Sequence, residues 1–215
     1  MMNEEQIRQA LRLYLVMGSS NCGGADPVRV LEAAITGGIT MFQFREKGAG
    51  SLQGQARLAL GDRLRQLCAQ HRIPFIVNDD ERLALQLAAD GIHIGQEDAP
   101  AAAVRERLPQ MIVGVSAHDP AEASAAVAAG ADYLGVGPQY VTRTKLDARE
   151  VRGPAMIARM REAGIRLPLV GIGGIDAGNC GAVIRAGADG VAVVSAITGA
   201  RSPQEAAARL RRACL

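Results

Sequence analysis

Short apolar runs recur along the chain, and nearly every one ends in polar side chains or glycine. Ile39-Thr-Met-Phe42 runs into Gln43-Phe-Arg-Glu-Lys47, Phe75-Ile-Val77 into Asn78-Asp-Asp80, and Ile92-His-Ile94 into Gly95-Gln-Glu-Asp98. Ile112-Val-Gly-Val115 closes on Ser116, Leu169-Val-Gly-Ile172 on Gly173-Gly174, and Val191-Ala-Val-Val194 on Ser195. Runs this short and this apolar suit strands buried on both faces, as in a parallel sheet. They predict strands at Leu13–Met17, Met41–Arg45, Phe75–Asn78, Gly91–Ile94, Ile112–Ser116, Tyr133–Val136, Leu169–Ile172 and Gly190–Val194. Helical spacing lies between them, at Pro27–Thr36, Gln53–Gln70, Arg82–Ala89, Ala101–Leu108, Ala121–Ala129, Pro154–Ala163, Asn179–Ala186 and Pro203–Cys214.

Strict alternation of eight strands with helices favours closure into an α/β (β/α)8 TIM barrel over an open sheet. Glu4–Leu11 predicts an extra N-terminal helix that covers the bottom of the barrel. Ser51, Asp119 and Ser202 stand where N-caps are useful, and Pro27, Pro120 and Pro203 near first-turn positions. A weak repeat, Ala88-Ala-Asp-Gly91, Ala129-Gly-Ala-Asp132 and Ala186-Gly-Ala-Asp189, joins helix ends to strand starts. Its aspartates face the end of the barrel opposite the chemistry. With no linker and no low-complexity tract, residues 1–215 read as one domain.

Composition narrows the function classes. Aromatics are 3% of the chain and Trp is absent, which argues against base-stacking platforms for nucleic acid. A formal net charge of +2 argues against a general polyanion binder, so phosphate recognition should be local. Cys22, Cys68, Cys180 and Cys214 form no metal-ligand spacing and read as free thiols, which fits a reducing compartment. The charged N-terminus carries no signal-peptide pattern, and no apolar stretch is long enough for a membrane span. The cytoplasm is the expected location. The oligomeric state, a homo-oligomer included, stays open.

In a TIM barrel the active site lies at the C-terminal ends of the strands, which is where the polar residues fall. Alternation puts Gln43 and Arg45 on one face and Phe42 and Phe44 on the other. Gln43 and Arg45 then point into the barrel mouth with Lys47 just beyond, able to hold a phosphate and hydrogen-bond a ring. The competing reading is a structural ion pair of Arg45 with Glu46 or Asp98. Asp79 and Asp98 end adjacent strands and can converge on a hard cation such as Mg²⁺, with substrate phosphate completing its shell. A cap or solvated turn is the alternative for either carboxylate. His93 points inward and reads first as a satisfied barrel-core histidine. Thr142, Thr144 and Lys145 form a hydroxyl-rich loop suited to phosphate, or a solvated surface loop. Gly173-Gly174 and Ser195 follow the last two strands, where backbone N–H groups often hold phosphate. The rim thus offers one region for a metal-bound pyrophosphate and another for a monophosphate. No Cys–His or Ser–His–Asp nucleophile set is evident.

Taken in order, Gln43-Phe-Arg-Glu-Lys47, Val77-Asn-Asp79, His93-Ile-Gly-Gln-Glu-Asp98, Gly114-Val-Ser116, Thr142-Arg-Thr-Lys145, Gly171-Ile-Gly-Gly174 and Val194-Ser195 resemble the thiamine phosphate synthase family. The resemblance implies a transferase. It would condense 4-amino-2-methyl-5-hydroxymethylpyrimidine pyrophosphate with 4-methyl-5-(2-phosphoethyl)thiazole, releasing pyrophosphate by dissociative substitution. It implies that Gln43, Phe44, Arg45, Glu46, Lys47, Asn78, Ser116 and Lys145 hold the pyrimidine pyrophosphate. Thr142, Arg143, Thr144, Gly174, Val194 and Ser195 would hold the thiazole phosphate, and Asp79 and Asp98 the Mg²⁺. Arg45, Lys47, Lys145 and Ser116 would be the catalytic set. Members commonly carry a proline where Val141 stands, so the threonine loop departs from the family pattern. A thiazole tautomerase-like barrel protein and a non-catalytic phosphate-metabolite sensor are the alternative readings.

Overall fold

A computed structural model of the chain describes residues 2–142 and 151–214. Eight parallel strands, β1 (Leu13–Met17), β2 (Met41–Phe44), β3 (Phe75–Asn78), β4 (Gly91–Ile94), β5 (Ile112–Ala117), β6 (Tyr133–Val136), β7 (Leu169–Ile172) and β8 (Gly190–Val193), close in sequence order into a barrel. Closure is made by β1 against β8, with Tyr14 opposite Ala192. Among the described residues the helices are α1 (Glu4–Leu11), α2 (Pro27–Thr36), α3 (Gly54–Gln70), α4 (Glu81–Gln86), α5 (Ala101–Arg107), α6 (Pro120–Ala128), α7 (Pro154–Glu162), α8 (Cys180–Arg185), α9 (Ser195–Thr198) and α10 (Pro203–Ala213). None is long and apolar enough to cross a membrane. The predicted TIM barrel is the observed fold.

The apolar residues sort into two layers, as strand alternation dictates. The outer layer packs Leu15, Phe42, Phe44, Phe75, Val77, Ile92 and Val113 against helix residues such as Leu31, Leu64 and Val104. The inner layer fills the barrel with Tyr14, Val16, Met41, Ile76, Ile112, Tyr133, Val170 and Ala192. Ile7, Ala10 and Leu11 of α1 complete that inner layer, so the N-terminal helix plugs the barrel bottom. Asn3 sets its start, accepting from Gln6 N–H in a capping box.

The repeated aspartates do structural work at that bottom end. Asp90, Asp132 and Asp189 each accept from the first or second backbone N–H of the preceding strand, those of Phe75, Val113 and Leu169. Arg105 and Arg161 clamp the latter two aspartates from α5 and α7, and Arg161 also donates to the carbonyls of Gly187, Ile165 and Leu167.

Several local expectations need correction. Gln53, not Ser51, precedes α3, and Ser51 instead donates to the Gly48 carbonyl. Helix α4 stops at Gln86 rather than Ala89 because Ala88 turns left-handed, with φ 47°. Helix α9 escaped prediction because four residues are too few to show a 3.6-residue period. Asp119 and Ser202 do cap α6 and α10, and Pro120 and Pro203 open them.

Candidate active site

The C-terminal ends of the strands enclose a cavity of about 470 Å³. Its wall from β2 to β5 carries Gln43, Arg45, Lys47, Asn78, Asp79, Asp98 and Ser116, and its wall from β6 to β8 carries Thr142, Gly174, Val194 and Ser195. Arg45 lies one residue past β2, where its N–H still bonds the Met17 carbonyl at 2.9 Å, so it keeps the strand's direction into the mouth. Arg143, Thr144 and Lys145 lie outside the described residues.

Asp79 leaves β3 with φ 61°, a left-handed conformation uncommon for a residue with a side chain and best tolerated by Asp and Asn. Its N–H donates to the His93 carbonyl at 2.9 Å, so the turn swings its carboxylate towards the end of β4. There it meets Lys47, whose Nζ lies 2.6 Å from Oδ2. Burial holds the Asp79 carboxyl above the usual carboxylate range; Lys47 offsets this in part and the adjacent Asp98 adds to it. The Asp79 carboxylate in turn holds the Lys47 ammonium above its ordinary range. Asp98 is itself braced, with Oδ2 accepting from Gly95 N–H at 2.7 Å. Two neighbouring carboxylates beside the Lys47 ammonium present oxygens that suit a hard divalent ion. Among the described residues no group of three or more His, Cys, Asp or Glu forms a ready-made metal centre. The pair therefore fits an ion whose remaining ligands come from substrate and water.

Asp80 has a different role. It caps α4 through Leu83 N–H and pairs with Arg57 at 2.8 Å. Phe44 and Glu46 also stand apart from the cavity. Phe44 packs in the outer layer against Phe75. Glu46 is 5% exposed, and its carboxylate accepts from Ser19 N–H, Ser19 Oγ–H and Leu52 N–H, tying two rim loops together.

On the opposite wall, Gly173 and Gly174 have φ 101° and 63°, and a Cβ on Gly174 would lie 2.5 Å from the Val141 carbonyl oxygen. Only glycine allows the turn after β7 to pass so close to Tyr140 and Val141. The Tyr140 N–H reaches the Gly173 carbonyl at 2.9 Å, fastening the loop after β6 to this turn. Beside it Val194 precedes α9, whose first N–H groups have no carbonyl within the helix to bond.

Tyr14, Gln96, His118 and Asp176 also line the cavity, although motif reasoning assigned them no role. Alternation could have found two of them. Tyr14 shares the inward face of β1 with Val16, and His118 follows Ser116 by two positions. His118 is held by Glu122, Nδ1 to Oε2 at 2.8 Å. His93 is both a satisfied core residue and a cavity wall, with Nδ1 3.0 Å from the Tyr133 hydroxyl and Nε2 3.0 Å from the Ser116 hydroxyl.

Comparison with known proteins bears on this arrangement. Residues 13–197 match the family described as thiamine monophosphate synthase. The chain is 54% identical to a thiamine-phosphate synthase of Bacillus velezensis over 205 residues, 95% of this chain and 91% of that protein. It is 53% identical to one from Geobacillus kaustophilus, over 97% of this chain and 94% of that protein. A solved thiamine phosphate pyrophosphorylase from Pyrococcus furiosus superposes with a TM-score of 0.87 at 35% identity, covering 97% of both chains.

Proposed function

The chain belongs to the thiamine monophosphate synthase family, and from that premise we propose that it joins the pyrimidine pyrophosphate to the thiazole phosphate, giving thiamine phosphate and pyrophosphate. The observation that carries this reading is the division of one cavity into two phosphate-handling walls. The wall of Arg45, Lys47, Asp79 and Asp98 suits a pyrophosphate with its divalent ion, and the wall of Gly174, Val194 and Ser195 suits a monophosphate. The reaction transfers the pyrimidinylmethyl group from pyrophosphate oxygen to the thiazole nitrogen. The free thiols and the absence of any long apolar helix among the described residues fit the cytoplasm.

The carbon–oxygen bond between the pyrimidine methylene and the pyrophosphate breaks first, and its electron pair leaves with the pyrophosphate. Electron density from the ring amino group stabilises the methylene cation. The thiazole nitrogen then donates its lone pair to that carbon. Because this nitrogen carries no proton, no general base is needed. Arg45 and Lys47 stabilise the charge growing on the departing oxygens, a role the reading extends to Lys145. Gln43, Asn78 and Ser116 orient the ring. Backbone N–H groups at the Gly174 turn and at the start of α9 hold the thiazole phosphate, helped by Thr142, Arg143 and Thr144. Asp79 and Asp98 would hold Mg²⁺, which when bound would neutralise leaving-group charge. Fixing both substrates in one cavity supplies a further share of the acceleration.

Coupled assay of pyrophosphate release tests the reading. Release should require both substrates and Mg²⁺, and Asp79→Asn and Asp98→Asn should each raise the Mg²⁺ needed for half-maximal rate by about tenfold or more. Release that ignores the thiazole phosphate, or metal dependence unchanged in both variants, would overturn it.

A further inference from the structure

One chain of hydrogen bonds crosses the barrel just beneath the cavity. Gln43 Nε2 donates to the Tyr14 hydroxyl at 2.8 Å, and that hydroxyl lies 2.9 Å from the hydroxyl of Tyr133. Tyr133 reaches His93 Nδ1 at 3.0 Å, and His93 Nε2 reaches Ser116 Oγ at 3.0 Å. The links come from β2, β1, β6, β4 and β5 in turn, so the chain crosses the barrel interior through Tyr133, which joins strands that are not neighbours. Room for it is cut by two glycines. A Cβ on Gly114 would sit 2.1 Å from the Tyr133 ring, and one on Gly135 would sit 3.0 Å from His93 Cε1.

The Gln43 amide, donating to Tyr14 at the head of the chain, sets its direction. Tyr14 and Tyr133 are 1% and 0% exposed, and a buried hydroxyl proton needs an acceptor. Tyr14 receives the Gln43 amide proton, so its own proton goes to Tyr133. Tyr133 then donates to His93 Nδ1, which leaves the imidazole neutral with its proton on Nε2. That proton goes to Ser116 Oγ, and the Ser116 hydroxyl proton is turned towards the cavity. A charged imidazolium would donate from both nitrogens and leave the Tyr14 proton stranded in the core. Burial pushes both phenols well above their ordinary range, so neither link opens by ionisation.

We propose that Tyr14, Tyr133 and His93 are positioning residues that set, at both ends together, which hydrogen-bonding groups Gln43 and Ser116 present to the pyrimidine. With the amide nitrogen committed to Tyr14, Gln43 offers its carbonyl oxygen to the cavity as an acceptor, and Ser116 offers a donor. An amino-substituted ring meets that acceptor with N–H. An oxo-substituted ring presents two acceptors to each other and binds only if every link reverses. The inference deepens the proposed pyrimidine site and rests on it.

The test uses non-reacting ligands, the 4-amino and 4-oxo forms of the pyrimidine monophosphate, with binding followed by calorimetry. Wild-type protein should prefer the amino form by about tenfold or more, the worth of one or two hydrogen bonds to a buried polar group. Tyr133→Phe, which deletes only the central oxygen, should bring that preference to within about threefold, and Tyr14→Phe should act likewise. Nitrogen NMR of the histidine-labelled protein, assigned with a His93→Gln variant, should show His93 protonated on Nε2 in wild type and a tautomer mixture in Tyr133→Phe. A merely structural tyrosine would change melting temperature without changing tautomer or preference, and that result overturns the proposal. A wild-type His93 protonated on Nδ1 also overturns it, whether or not the variants fold. Wild-type protein that binds neither monophosphate refutes the pyrimidine site, while the tautomer alone then decides the direction of the chain.

Discussion

Glu46 lies inside the Gln43-Phe-Arg-Glu-Lys47 run, yet its carboxylate serves the rim loops rather than the cavity, and Glu46→Gln separates those two roles. Oε2 accepts from Ser19 N–H at 2.7 Å, while Oε1 accepts from Leu52 N–H at 2.7 Å and from the Ser19 hydroxyl. Glutamine keeps one acceptor. With its oxygen kept towards Leu52, its NH₂ faces the Ser19 N–H, so one charge-assisted bond is replaced by two donors in contact. A hydrogen bond to a charged group contributes roughly 1.5–3 kcal/mol, and the stranded donor adds to the loss, so a destabilisation of about 2–3 kcal/mol is expected. For a chain of this size that lowers the melting temperature by roughly 4–12 °C. Calorimetry measures the shift, and steady-state kinetics with each substrate varied separately measures the site. The variant should lose stability and keep kcat and both KM values within about threefold at a temperature well below its transition, as surface-loop loosening leaves the reacting geometry in place. An unshifted melting temperature with a sharply raised KM for the pyrimidine pyrophosphate would refute the strut and return Glu46 to the substrate.

Three further outcomes follow from the same geometry. Because burial, and Asp98 after it, hold the Asp79 carboxyl high despite Lys47, its ionisation opposes folding; the favourable contribution is intact below about pH 4 and is lost as pH rises through the folded value. Metal-free Asp79→Asn should therefore melt at or above the wild-type temperature at pH 7 while gaining less from added Mg²⁺, and a lower metal-free value would contradict this. Gly174→Ala forces a side chain into a left-handed turn against the Val141 carbonyl, at about 1–3 kcal/mol of strain. Its KM for the thiazole phosphate should rise by about tenfold with that for the pyrimidine pyrophosphate unchanged, and equal changes in both would mean a general collapse of the rim. Cys22 is buried, and burial, with Glu46 and Asp26 nearby, pushes its thiol up to about 11. Alkylation at pH 8 should be slow in wild type and faster in Glu46→Gln, and equal rates would show that the Ser19 loop does not depend on that carboxylate.

The barrel was legible in the sequence because its strands are short, mostly apolar and separated by helices, and because nearly every apolar run ends in polar residues or glycine. Alternation within a strand also told which way Gln43, Arg45 and His93 point. Local chain geometry was less legible. The left-handed Ala88 that cuts α4 short is an ordinary alanine in sequence, and the four-residue α9 makes barely one turn, too little to show a repeat. Motif membership was the weakest guide of all. Glu46 and Phe44 sit between residues that face the cavity, but strand alternation turns Phe44 outward, and beyond the strand end Glu46 finds its partners in loops that no periodicity predicts.

What sequence pattern cannot carry is pairing across the barrel. A period of two assigns Tyr14, His93 and Tyr133 to the interior, where each alone reads as a polar residue needing a partner, but it is silent on which of eight strands supplies it. Tyr14 and Tyr133 are 119 residues apart and meet only because the sheet closes. Closure also explains why a buried polar chain is tolerated at this depth. Each hydroxyl and ring nitrogen finds its complement on another strand, so the unsatisfied-group penalty of about 1–3 kcal/mol per site does not arise. Removing any central atom leaves two such groups at once, one on each side of the gap. Breaking the chain therefore costs stability and also frees its direction, since both remaining halves can reorient independently. That independence is what would let Gln43 and Ser116 present mismatched groups to the same ring.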